Sequence, residues 1–153
     1  MTIKWSLRNI FLFLVFIVMV GWFLWSLRIV SIVYVGKNNY GHNDIVVNGF
    51  PVTDKGRMNW FVDNKYNIFR KYNIDPIFLS SIDIWDYGDG FYASYDITTG
   101  DPYCFRDMPT PKNCIEKNIL LRVKFSQGKI DGYEVGVDAT KYKVTQDESM
   151  LKK

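Results

Sequence analysis

Histidine occurs once in this 153-residue chain and cysteine twice, and these shortages exclude much chemistry. His42 stands alone, and the C-x9-C spacing of Cys104 and Cys114 matches no zinc-ligand pattern, so no metal site is predicted. A Walker-type phosphate loop and a dinucleotide fingerprint are both missing, so no cofactor is expected. Acidic residues are absent from the first 37 positions, which hold Lys4, Arg8, Arg28 and Lys37. Taking those four from the 19 basic residues leaves 15 against 16 acids from Asn38 onward, a net charge of −1. The formal +3 of the whole chain therefore belongs to its N-terminal segment, and no nucleic-acid partner is expected.

Charge is missing again from Ile10 to Leu27, IFLFLVFIVMVGWFLWSL, where Ser26 is the one polar side chain. Eighteen helical residues rise about 27 Å, close to the roughly 30 Å hydrocarbon core of a bilayer. Trp5, Trp22 and Trp25 fall near the ends of the run, where interfacial aromatics belong. No Ala-x-Ala-like site follows the run, and its apolar core is longer than that of a secretory signal, so cleavage is not expected. The sequence thus predicts a single-pass transmembrane helix over about 10–27, within a segment of flank and anchor at 1–28. Lys4 and Arg8 precede it within the first nine residues, which favours a cytoplasmic N-terminus and an exported domain. Two cysteines in an exported domain read as a Cys104–Cys114 disulfide, closing a loop with two prolines.

The soluble part is expected at 29–145, with a polar tail at 146–153. Ile29 to Val35 is β-branched and reads as a first strand, Lys37 to Asn43 as a turn, and Ile45 to Val47 as a short strand. Thr53 or Asp54 caps a helix carrying Met58, Phe61, Val62, Tyr66 and Phe69 at helical spacing, and Asn73 with Asp75-Pro76 ends it. Two hairpins follow. One joins Ile77–Trp85 to Phe91–Ile97 through the Asp86–Gly90 turn; the other joins Ile119–Phe125 to Ile130–Val137, with Tyr142–Val144 as an edge. The predicted fold class is α+β: after the membrane helix, one main helix packs on an antiparallel sheet of about four to six strands.

Candidate chemistry is thin. Asp83, Asp86 and Asp89, spaced by three, form an acidic group, but Asp and Gly are also what a tight turn requires, and the spacing is not that of a calcium loop. Asp107 and Glu116 make a carboxylate pair beside the cysteine loop, and His42 lies in a Gly/Asn turn rather than in a nucleophile elbow. No catalytic residue is assigned and the chain is read as a non-enzyme.

Three segments together, FPVTDKGRMNWFVDNK (50–65), WDYGDG (85–90) and CFRDM with KNCIEKN (104–108 and 112–118), resemble a family of enterobacterial membrane proteins of unknown function. The resemblance implies a place in the bacterial envelope and supplies no activity; combined with the charge asymmetry, it gives the expectation of an inner-membrane protein with a periplasmic domain. The expected partners are the lipid bilayer and a protein of unknown identity, an immunity-type role against a toxin being one form. The alternative is an envelope enzyme or ligand-binding domain acting on cell-wall or lipid material.

Overall fold

The computed structural model describes residues 7–26, 29–38, 41–96, 101–144 and 150–152. The chain begins with helix α1 (Leu7–Ser26), then strands β1 (Ser31–Asn38) and β2 (His42–Asn48) and helix α2 (Asp54–Tyr72). After a short 3-10 turn (Pro76–Phe78) come β3 (Ser81–Asp86), β4 (Tyr92–Ala93), β5 (Pro102–Cys104), β6 (Lys112–Glu116), β7 (Ile119–Ser126), β8 (Lys129–Val135), β9 (Thr140–Val144) and β10 (Met150–Lys152).

Local chemistry accounts for α2. Thr53 is extended and its hydroxyl accepts the Gly56 amide at 3.1 Å, satisfying one of the free donors of the first turn. A Cβ on Gly56 would lie 2.8 Å from that hydroxyl, so the glycine, unfavourable inside a helix, makes room for the cap. Asn73 takes the left-handed conformation at φ 50° and ends the helix. Met58, Phe61 and Ile68 form its buried stripe.

The strands form a seven-stranded sheet in the order β1-β2-β3-β7-β8-β9-β10 and a three-stranded sheet in the order β4-β6-β5. Alternation along each strand sends successive side chains to opposite faces. Ile45, Val47, Ile82, Ile84, Leu121 and Val123 join the α2 stripe in the main core, whereas Val46 and Trp85 face the other way and pack with Phe105 and Ile115 of the smaller sheet.

The structure corrects the expected fold class in three respects. The sheet is larger than expected and is mixed, because β2 and β3, joined through α2, run parallel. The Asp86–Gly90 turn forms, but it does not close a hairpin: β3 stays in the large sheet and β4 pairs with β6 in the small one. The apolar face at Val46 and Trp85 needs a cover, and the chain after the turn crosses over to supply it.

The third correction concerns the predicted membrane-crossing helix. α1 forms, and Ile10 to Val20 are all exposed, Phe11, Phe16 and Val18 by about two thirds. Among the described residues, however, no helix is long and apolar enough to cross a membrane. The part of α1 whose side chains are described, 8–21, opens on Arg8 and Asn9 and rises about 20 Å, short of a hydrocarbon core of about 30 Å.

The second predicted hairpin is present as β7–β8, with Ser126 opposite Lys129. Tyr142 lies on β9, which is not an edge, because Met150–Lys152 of the expected polar tail pairs with it as β10; residues 145–149 lie outside the described residues. Cys104 and Cys114 are bonded to each other and face one another across β5 and β6, so the bridge clamps the small sheet as well as closing the loop.

Candidate functional site

One row of charged residues crosses the large sheet on the face away from α2. Register aligns Asp44 of β2 with Asp83 of β3, Asp83 with Arg122 of β7, Arg122 with Glu134 of β8, and Glu134 with Lys141 of β9. Asp44 and Asp83 are buried, and like charges directly opposite one another destabilise a sheet unless other groups compensate.

Compensation comes from both sides. Arg122 donates from Nε and a terminal nitrogen to the two Asp83 oxygens at 2.7 and 2.6 Å, a bidentate pair. Asp44 accepts from Trp85 Nε1 at 2.7 Å and from the Tyr103 hydroxyl at 3.0 Å. Burial, and then the charge of Asp44, push the Tyr103 hydroxyl well above the ordinary tyrosine range, so it remains a donor. Tyr103 also stacks on Trp85 with ring centres 4.2 Å apart, which ties the small sheet to this row.

His42, half-buried at the start of β2, completes the set. Its Nε2 is 3.5 Å from Asp44 Oδ1 and 3.5 Å from Asp83 Oδ2, and its Nδ1 is 2.6 Å from Ser81 Oγ. Its pKa is raised, first by the long hydrogen bond to Asp44 and also by the charges of Asp83 and Asp44, against burial and Arg122. Further along the row, Lys124 bonds Glu134 at 2.6 Å and holds its carboxyl below the usual range, with Arg122 and Lys141 assisting.

Among the described residues, His42, Asp44 and Asp83 form the one group whose donor atoms lie close enough to hold a metal ion. The oxygens nearest His42 are already taken, however. Asp83 Oδ2 is 2.6 Å from an Arg122 nitrogen and Asp44 Oδ1 is 2.7 Å from Trp85 Nε1. A dication would sit against the Arg122 guanidinium, which already pairs with both Asp83 oxygens. The Ser81–His42–Asp geometry has the order of a nucleophilic triad, but the 3.5 Å His–Asp separations are long for an orienting bond, typically about 2.7–3.2 Å. The arrangement is a charge-balanced network that joins two sheets.

A family model described as "Enterobacterial putative membrane protein (DUF943)" matches residues 4–153. The chain belongs to this family. That description names no function, so membership assigns no chemistry to the charged row. No curated protein and no solved structure matches the chain.

Of the sequence candidates, only Asp83 enters the row. Asp86, three residues on and therefore on the opposite strand face, accepts from Asn118 at 3.2 Å, and Asp89 is exposed in the turn. The acidic trio is thus dispersed. Asp107 accepts the Lys37 amide at 3.1 Å, and Glu116 is exposed on β6 opposite Pro102. Sequence reasoning sets His42 aside as a turn residue and does not reach Asp44 or Arg122. The available signal was the alternation of Asp44 with Val46 and of Asp83 with Trp85, which puts each aspartate on the strand face of a large apolar side chain.

His42 makes stability depend on pH with a defined sign. Its folded-state pKa lies above its unfolded value of about 6.5, so its contribution is complete below about pH 6.5 and is lost as pH rises through the folded value. Urea midpoints of the full chain in neutral detergent are expected to fall on going from mildly acidic to mildly alkaline buffer, and His42→Gln is expected to flatten that part of the profile. An unchanged slope in His42→Gln would assign it to other groups.

Proposed function

We propose that this membrane protein is a non-enzymatic interaction module, attached to the bacterial inner membrane through α1, with its folded domain on the periplasmic side and an acidic protein as its partner. The observation that carries the reading is the uneven cover of the sheet. The small sheet packs over Val46 and Trp85 at the β2–β3 side, while Arg122, Lys124 and Lys141 stay 40%, 46% and 64% exposed across β7 to β9. Lys143, exposed on β9 two residues from Lys141, extends the same face, which holds Glu134 as its central acid. Arg122 is committed to Asp83 and Lys124 to Glu134, so Lys141 and Lys143 are the cations this face offers, and exposed cations on a rigid sheet steer and orient an acidic partner.

Two further observations support the location. A disulfide in a small domain suits an oxidising compartment, and the exposed apolar surface of α1 suits lipid. A toxin neutralised at the periplasmic face is one partner that fits. His42, Asp44 and Asp83 are occupied with one another and with Arg122, Trp85 and Tyr103, which supports binding over hydrolysis.

The test is site-specific photo-crosslinking in cells from position 143 of the full chain. An adduct with an acidic protein, lost in Lys124→Glu/Lys141→Glu while the chain remains folded and membrane-bound, is the expected result. Adducts that persist through both charge reversals would refute the electrostatic docking.

A further inference from the structure

Three of the most exposed apolar side chains of the domain lie at one end of it: Ile29 is 91% exposed, and Val52 and Val137 are each 76% exposed. Ile29 precedes β1, and a Cβ on Gly49 would sit 3.4 Å from its carbonyl oxygen, which places it against the loop after β2. Val52 belongs to that loop and Val137 to the β8–β9 turn. Arg57 holds both connections, donating from Nε to the Pro51 carbonyl at 2.9 Å and from a terminal nitrogen to the Leu120 carbonyl at 3.1 Å. Leu120 in turn accepts the Gly136 amide at 3.2 Å. Pinned backbones present these valines outward at a position where neither can fold back into the core.

The chain itself indicates what covers them. α1 ends at Ser26 and Ile29 is three residues on, a reach of about 10 Å at most. Whatever surface receives the apolar side chains of α1 therefore lies beside this end of the domain. Lys55 and Arg57 next to Val52 are matched by Asp54 and by Asp138 beside Val137, so the seating rests on the apolar side chains rather than on charge. Ile77 and Phe78, 67% and 76% exposed, lie at the opposite end, Ile77 beside Gly128 in the β7–β8 turn, away from the connection to α1.

We propose that Ile29, Val52 and Val137 form a lipid-contacting rim, with Val52 and Val137 inserted at the bilayer surface so that the domain stands with its β7–β9 face directed away from lipid. This rests on membrane attachment through α1, and adds an orientation that attachment alone does not require. A domain seated on its rim cannot tumble on its tether, so the charged face stays presented to partners.

The experiment uses the full chain in vesicles of mixed neutral and anionic phospholipids, with a fluorophore on Val52→Cys, Val137→Cys or Ile77→Cys and a headgroup-proximal nitroxide lipid as quencher. Quenching at 52 and 137 about threefold stronger than at 77 is expected, given the shallow depth of interfacial side chains. Equal, weak quenching at all three sites in a chain that co-sediments with the vesicles overturns the rim but leaves the attachment standing. A chain that fails to co-sediment overturns both. Quenching confined to position 77 would place the opposite end of the domain on the membrane and also overturns the rim.

Discussion

Arg122→Leu is expected to destabilise the folded chain by about 3 kcal/mol, read as a lowered urea midpoint with an unchanged slope. The substitution leaves the Asp83 carboxyl, 1% exposed, beside Asp44 with its bidentate partner gone. Breaking a buried pair from one side costs about 3–5 kcal/mol, and the lower end applies because the Arg122 side chain is 40% exposed and already partly solvated. The cost belongs to the abandoned carboxylate rather than to a large net gain from the pair. Asp83→Leu/Arg122→Leu is therefore expected to recover at least half of the loss, since neither charge is then left alone. If the double variant is no more stable than Arg122→Leu alone, the cost lies in losing the pair itself rather than in the abandoned carboxylate. If Arg122→Leu unfolds at the wild-type midpoint, His42 alone suffices to balance the two aspartates.

Removing the disulfide is expected to have an effect of similar size. Cys104 and Cys114 are ten positions apart, and closing a loop of that length stabilises by about 3 kcal/mol in the chain-entropy model. Alanine at both positions should lower the melting temperature by about 10 °C for a domain of this size, and a reductant should shift the wild-type protein by the same amount while leaving the double variant unmoved. The bridge holds β5 against β6, and these strands carry Tyr103 and Ile115 onto Trp85 and Val46. Loosening them should therefore expose the tryptophan, and a red shift of its fluorescence below the main transition would show the small sheet detaching first. A reductant that changes neither signal would show that the two sheets hold without the clamp.

Features carried by neighbouring residues were legible without coordinates. The Thr53 cap, the helical stripe through Met58, Phe61 and Phe69, the stop at Asn73, the β7–β8 hairpin and the glycine turn after Asp86 all arise from interactions within a few positions of one another, although Tyr66, expected on that stripe, is 74% exposed. The cysteine pair was legible because only two cysteines exist. The β3–β4 hairpin failed because turn chemistry specifies a reversal and does not specify which strand receives the chain. The acidic trio reads chiefly as turn chemistry, and strand alternation separates Asp83 from Asp86 while Asp89 stays in the turn.

Hydrophobic pattern, caps and turns, all short-range, settle which segments become helix or strand and where charge is scarce. They say nothing about partners in space. The parallel placement of β3 beside β2, the burial of Asp44 against Asp83 and the approach of Arg122 over 39 positions depend on register between distant strands. That register follows from packing both faces of the large sheet at once, one under α2 and the other under the disulfide-clamped strands. Only the assembled fold decides it, because the free energy that selects it is shared among side chains far apart in the chain.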